Sequence, residues 1–546
     1  MKKKIQIIIA IGLMMAGLSS CTKDFLNRVP SDQLSSATFF TQPKDLIYAV
    51  NGVYHALGYN TWGMDQGWST GFLERENVTD NAVDNHSWDP LYQMALGTSD
   101  AYDTYATSEW KTKWQGIQRA NRILENAHKI KGMDPTLEKR LLAETRFLRA
   151  YYFFDLAYLY GDIPYITHSI TPTQAIGMKR TPVKQVLDSV ENELALAAKD
   201  LPLSYPSSDV GRITKGAALA MEARVLLYDQ KWDAAAKAAK AVMDLHQYSL
   251  YPDYKKLFSY AGMENQEIIF DLQEMPDKQW NFTLQNFGPN SCYGWSVSTP
   301  TQNLVDAYEC TDGLPINKSP LYDPHHPYKN RDPRLAYTIL YPGHPWLNGV
   351  YNTIPGASYP GKKIVPGDDM TDGTSGQWNK TFTGYNWLKY MDNAKDYYDG
   401  NMWNGSLQLI LIRYAEVLLT YAEAKIEANE IDQSVVDAIN KVRERVGMPD
   451  VKIGSQSDMR EIVRRERRVE FAFEGLRLMD IRRWHIADKV MNGIPGVLHY
   501  KNGLPDPNGK PIGILPARHF NPDRDYLWPI PQSEIDVSHI KQNPGW

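Results

Sequence analysis

The sequence predicts a mainly α protein, a scaffold of helical hairpins interrupted by one large, irregular, loop-rich insertion. Three observations carry that expectation. Lys215–Leu245 reads as two antiparallel helices: small Ala217, Ala220 and Ala223 permit close approach, Trp232 follows the turn, and an alanine-rich helix closes the pair. Leu137–Tyr160 is apolar nearly all round, the pattern of a helix buried inside a bundle. Ser249–Leu407, by contrast, is rich in Pro, Gly, Asn and aromatic residues and has few periodic runs.

From the N-terminus, Lys2, Lys3 and Lys4 precede an apolar run from Ile5 to Leu18, then Ser19, Ser20 and Cys21. A basic head, a short apolar stretch and small residues describe an export signal. The run is shorter than the ~20 residues of a comfortable membrane span. Leu18-Ser-Ser-Cys21 resembles a bacterial lipoprotein signal, which makes Cys21 the acylated first residue of a mature, lipid-tethered chain. Loss of residues 1–20 takes the formal charge from −5 to −8. An acidic chain without basic runs argues against nucleic acid as a partner. Cys292 and Cys310 are too few for a disulfide framework, and one bridge or two isolated thiols both fit.

Thr22–Ser36 is polar and reads as a tether, and Pro43–Leu57 as the first helix. Gly58–Thr107 is a long aperiodic loop, in which Trp62, Trp68 and Trp88 argue against disorder. Glu109–His128 and Leu137–Tyr160 form a helical pair around Gly132-Met-Asp-Pro135, and Gly161 and Pro164 stop the second. Val183–Lys199 adds another helix. The Lys215–Leu245 unit resembles a tetratricopeptide hairpin, with a weaker copy at Ile410–Val446. The chain thus divides into a signal (1–20), a tether (21–42), a tetratricopeptide-like scaffold (43–248) with an aromatic loop (58–107), an irregular ligand-binding lobe (249–406), and a C-terminal scaffold and tail (407–546).

Met459–Trp484 is the most heavily charged stretch, predicted as one helix capped at Ser457 and Asp458. Arg464 and Arg468 stack like on like, as do Glu466, Glu470 and Glu474. Such columns call for opposite charges from another element. Glu144, Arg146, Arg149 and Asp155 of the buried helix are the expected partners.

Several stretches, in order along the chain, resemble the SusD/RagB family. They are Cys21-Thr-Lys-Asp-Phe-Leu26, Arg149-Ala-Tyr-Tyr-Phe153 with Tyr160-Gly-Asp-Ile-Pro164, and Pro300-Thr-Gln-Asn-Leu-Val-Asp-Ala-Tyr308 with Asp312-Gly313. Asn330-Arg-Asp-Pro-Arg-Leu335, Arg413-Tyr-Ala-Glu416, Arg465–Trp484 and Trp528-Pro-Ile-Pro531 complete the set. The resemblance implies a SusD-like outer-membrane surface lipoprotein with four tetratricopeptide-like helical pairs and a variable lobe. It further implies a non-catalytic protein that binds nutrients, usually oligosaccharides, above a TonB-dependent SusC-like transporter, with ligand contacts in loops after the first helix and before the Pro-Thr-Gln motif.

Sugar chemistry points to the same loops. A pyranose offers C–H faces to flat rings and hydroxyl edges to planar donors and acceptors. The candidate rings are Trp62, Trp68, Trp88, Trp280, Phe287, Tyr293 and Trp295, and the polar candidates are Asp80, Asn81 and Asn281, with Asn85 and Asn290 nearby. Trp114, Trp232 and Trp484, on helices, are expected in the core. If these loops do not bind, the Trp346–Trp403 segment is the next candidate. Asp323-Pro-His-His-Pro327 reads as an exposed histidine pair, since adjacent imidazoles do not converge on one ion as a helical i,i+4 pair does. No metal or cofactor is expected.

A glycoside hydrolase is the enzymatic rival, because it too joins tryptophans to carboxylates. Glu74-Arg-Glu76 and Asp368-Asp369 read as solvated, and Gly-x-Ser-x-Gly, a phosphate-cradling loop and His-Glu-x-x-His are missing from the sequence. A peptide binder is the other rival, since tetratricopeptide grooves hold peptides; aromatic loops outside the helical pairs favour sugar.

Overall fold

The structure is a computed structural model that describes residues 39–58, 71–275, 282–365, 379–391 and 405–546. Its scaffold is a succession of helices: α1 Pro43–Tyr54, α2 Thr104–Asn126, α3 Pro135–Tyr160, α4 Val183–Asp200, α5 Lys215–Tyr228 and α6 Trp232–Asp244. After the insertion come α7 Tyr414–Glu427, α8 Gln433–Glu444, α9 Gln456–Glu470 and α10 Arg477–Arg483. Short polar side chains set several starts by accepting from an otherwise orphaned backbone N–H. Asp103 accepts from Ala106 N (2.9 Å), Asp134 from Leu137 N (2.8 Å) and Thr214 from Ala217 N (3.1 Å).

Each helix from α1 to α7 packs on the next, and α7 packs on both α8 and α9. The stack therefore runs unbroken from α6 to α7 although residues 245–413 intervene. At Gly116 a Cβ would lie 2.4 Å from the Tyr152 ring, so only glycine lets α2 close on α3 there. The tail straps back over this pair: Trp528, fully buried, sets its ring edge-on to Tyr105 and Tyr160 at 5.6 and 5.9 Å.

The strands are few and short. β1 Ala82–Asp84, β2 Ile268–Leu272, β3 Ser298–Pro300 and β4 Leu409–Arg413 form two antiparallel ribbons, β1 with β3 and β2 with β4. The second ribbon joins the entry and exit of the insertion and so makes its neck. The stretch 58–107 is less irregular than its sequence suggests. A helical turn at Gly71–Val78, β1, a helix at Pro90–Leu96 and the first turn of α2 lie within it.

Two expectations about charge and helix length are corrected. Met459–Trp484 is not one helix. Ser455, not Ser457 or Asp458, caps α9 by accepting from Asp458 N, and the helix breaks at Phe471. Phe473 and Gly475 then take φ of +62° and +73°, which drives the Phe473 ring against Trp387 (4.3 Å, stacked) and Phe287 (5.0 Å). Nor do the charges of α3 meet α9. Glu144 pairs with Arg212 (2.8 Å), Arg146 and Arg149 with Glu193 of α4 (3.1 and 2.7 Å), and Asp155 with Arg75 (3.0 Å). Glu193 comes from the flanking α4, while Arg212 comes from the 203–214 segment and Arg75 from the Gly71–Val78 turn, so α3 is neutralised before α9 is reached.

The like-charge columns do meet opposite charge, from elsewhere. Arg334 reaches Glu466 (2.6 Å) and Glu470 (2.8 Å), and Arg413 reaches Glu470 (2.6 Å), Glu474 (2.7 Å) and Glu267 (2.8 Å). Lys389 adds a contact to Glu474 at 2.7 Å. On the basic column, Arg468 meets Asp80 at 2.9 Å and Arg464 meets Glu427 at 3.4 Å.

Candidate functional site

The β1/β3 ribbon positions the candidate ligand face. Asp84 stands opposite Ser298, so the loop leaving β1 and the loop entering β3 share one end of the ribbon. Asn85 ties them together. Its backbone N–H donates to Val297 O (2.9 Å), and its side-chain amide donates to Ser296 O (2.6 Å) and Lys380 O (3.2 Å). Three candidate rings sit in these two tethered loops. Trp88 is 55% exposed, its ring 5.0 Å from that of His86. Tyr293 is 78% exposed and follows a single 3-10 turn with φ +65°. Trp295 is half-buried, edge-on to Phe282 at 5.1 Å, and its backbone N–H donates to Gln285 O at 2.7 Å. Asn290, half-buried, lies in the same turn as Tyr293.

Beneath the loops lies a buried acidic cluster. Burial, then the nearby Asp89, pushes Asp84 well above the usual carboxylate range, and burial lifts Asp89 to about 6. Asp84 accepts from His86 N (2.7 Å) and Asn77 Nδ2 (3.0 Å), and Asp89 caps the next helix through Leu91 N (2.9 Å). Arg518, also buried, donates to the carbonyls of Thr79 (2.6 Å), Asn77 (3.0 Å) and Ala82 (2.9 Å). These groups hold backbone in place and do not open on the surface.

Three candidates are corrected by this geometry. Asp80 is buried between Arg468 and Arg477, whose charges hold it down at about 2 against the cost of burial. Asn81 is fully buried, donating to Glu76 Oε2 (3.1 Å) and accepting from Arg468 Nε (2.8 Å). Phe287 is fully buried against Phe473. All three serve the core beneath the loops. Trp62, Trp68, Trp280, Asn281 and Cys21 lie outside the described residues.

Other sequence expectations are placed as follows. Glu74-Arg-Glu76 is buried, not solvated, because Arg75 bridges Glu109 (2.7 Å) and Asp155; Asp368-Asp369 lies outside the described residues. Trp346 is buried with its Nε1 donating to Ser291 Oγ (3.1 Å), Trp387 is wholly buried, and Trp378 and Trp403 lie outside the described residues. Trp114 and Trp232 pack on the core from half-buried positions. His326 Nδ1 sits 2.7 Å from Asp323 at the surface. Cys292 and Cys310 are both buried and are not bridged to each other. The Asn85 tether was the feature that composition did not reveal; its signal lies only in the β1–β3 pairing.

The molecule is thus an α-helical repeat scaffold that presents a tethered aromatic face on a loop-rich lobe. Residues 258–546 match the family model described as SusD family, and residues 24–227 match one described as starch-binding, associating with outer membrane. The chain belongs to the SusD family. It is 30% identical to a SusD-like carbohydrate-binding protein from Bacteroides fragilis, with a TM-score of 0.81 over 92% of this chain and 99% of that one. A SusD-like protein of Formosa agariphila, P25, is 25% identical over 98% of each chain. A surface glycan-binding protein from Bacteroides thetaiotaomicron, solved with laminarihexaose, shares the fold at 19% identity, with a TM-score of 0.69 over 92% of this chain and all of that one.

Proposed function

We propose that this chain is a non-catalytic, outer-membrane lipoprotein that captures an oligo- or polysaccharide and passes it to a TonB-dependent SusC-like transporter. The carrying observation is the pair of loops fastened by Asn85, which leaves Trp88 and Tyr293 exposed at one end of a ribbon whose other side chains are buried. Exposed rings on fixed backbone suit the C–H faces of a pyranose, because little ordering entropy is lost on binding. Trp62, Trp68, Trp280 and Asn281 lie outside the described residues, and their part in the proposed face rests on the sequence reading alone. Support also comes from the carbohydrate named for the two Bacteroides proteins above. Acylation of Cys21 anchors the protein with the face turned outward, stable because more than one acyl chain is buried.

The test is a glycan array with the soluble fragment starting after Cys21. Retention of at least one glycan, competed by free oligosaccharide and not by peptide, is expected; a protein that retains none, or that releases reducing ends from a bound polysaccharide, overturns the reading.

A further inference from the structure

A second concave site lies on the scaffold side of the neck, and its lining contains none of the candidate rings. It is a cleft of about 310 Å³ between the 203–214 segment, Tyr248 and the outer side of β2. Ligand sites of small molecules begin at about 300 Å³. Leu203 and Val210 stand exposed along it, and Asp271, only 6% exposed, lines it from β2.

The chemistry of this lining is lopsided. Asp271 forms no ion pair among the described residues; both its oxygens accept from one amide, Gln273 Nε2, at 2.9 and 3.0 Å. Burial, and after it the charge of Glu264, also in the lining, lifts the carboxyl to about 6. The cation in the lining, Arg212, is committed to Glu144 at 2.8 Å. The tyrosine hydroxyls are committed too, Tyr205 to Ile213 O (2.9 Å) and Tyr248 to Thr214 Oγ1 (2.9 Å), and both residues line the cleft, with the Arg140 guanidinium over the Tyr205 ring at 5.3 Å. A buried carboxylate without a counter-ion is costly, and aromatic walls add attraction for a cation. A metal ion fits poorly, since among the described residues Asp271 joins no cluster of three acidic or imidazole ligands near enough to share one.

We propose that this cleft binds a primary ammonium group carried on a small ring or short chain, with the Asp271 carboxylate as its counter-ion and the Tyr205 and Tyr248 rings as its walls. The ammonium comes either from an amino sugar or from a basic side chain, and the probes separate the two. Binding of D-glucosamine, N-acetyl-D-glucosamine, D-glucose and L-lysine amide is measured by calorimetry near pH 7 on the full soluble chain. Glucosamine or lysine amide binds, while N-acetylglucosamine and glucose, which lack the charge, do not. Glucosamine binding assigns the source to a glycan, and lysine amide binding alone assigns it to a basic peptide. Asp271→Asn weakens binding roughly ten-fold or more, the size of one charged hydrogen bond. Val210→Lys, at the exposed rim, places a tethered ammonium in the cleft and abolishes binding without touching Asp271. The inference is overturned if neither cation binds, if glucose binds as well as glucosamine, or if both variants bind like the parent. Asp271→Asn and Val210→Lys leave the Trp88 and Tyr293 face untouched, so binding that both variants keep belongs to that face, and loss in the variants tests this cleft apart from the glycan reading above.

Discussion

Arg413 Nη1 lies 2.6 Å from Glu470 Oε1, and the two side chains are 1% and 0% exposed. The contact joins the exit strand of the lobe, β4, to the last residue of α9, so it fastens insertion to scaffold. Glu470 also binds Arg334 and Arg445, and Arg413 also binds Glu267 and Glu474. Removing one member leaves buried charges without partners. Arg413→Ala is therefore expected to cost about 3–5 kcal/mol, measured as a fall in urea unfolding free energy. A loss below 1 kcal/mol would mean that the cluster does not couple the two parts.

The same cluster makes the fold acid-labile. Burial would raise Glu470, yet Arg445, Arg413 and Arg334 together hold it well below its usual 4.5. Its folded pKa is thus depressed, so its contribution is complete above 4.5 and is lost as pH falls through the lower folded value. The parent should lose stability steeply below about pH 4.5, and Glu470→Gln should show a shallower slope there. Parallel slopes for the two proteins would refute the assignment.

Asp89 acts in the opposite sense. Burial lifts its carboxyl from 3.8 to about 6, so the folded state holds the proton longer than the unfolded chain. The folded protein loses stability as pH rises from 3.8 towards 6, and the deficit persists above that. Asp89→Asn keeps an oxygen for Leu91 N and removes the charge. It should stabilise the protein by about 1–2 kcal/mol at pH 7 and leave it unchanged below pH 4. Chemical denaturation at both values gives the comparison.

These charges mark what the sequence could and could not disclose. The helices were legible because periodicity and capping are local: α1, α3, α4 and both members of the 215–245 hairpin stand within a few residues of where the pattern puts them. The stack of Glu466, Glu470 and Glu474 announced that cations must face it. It did not announce which, since Arg334 and Arg413 come from the insertion and its exit strand, and no local rule reaches that far. The candidate face behaved similarly. Trp88 and Phe287 both read as rings in polar loops, and only the turn at Phe473, which makes a socket for Phe287, separates the exposed ring from the buried one.

Arg149 offers a direct check on the corrected packing. It reaches Glu193 on α4 at 2.7 Å and Asn121 on α2 at 2.8 Å. Arg149→Glu sets two carboxylates together in a nearly buried site and should cost several kcal/mol, of the order of ~3. Adding Glu193→Arg should recover part of that loss in thermal unfolding. If a reversed charge on α9 rescued it and Glu193→Arg did not, the arrangement of α3 against α4 would be wrong.

The exposed and buried rings should separate binding from folding. Trp88 and Tyr293 stand largely in solvent, so Trp88→Ala and Tyr293→Ala remove little buried area and should change unfolding free energy by no more than ~0.5 kcal/mol. Both should sharply weaken retention of the glycan found on the array, because each removes a platform for a sugar face. Trp295→Ala is expected to weaken retention too, with a modest stability cost from its contact with Phe282. Phe287→Ala should do the reverse of the first two. It empties a site packed against Phe473 and should cost about 3–5 kcal/mol, while any protein that stays folded keeps its glycan. Affinity electrophoresis and urea unfolding on the same four variants read the two effects apart. Unchanged retention in both Trp88→Ala and Tyr293→Ala would move the ligand face away from the β1/β3 ribbon.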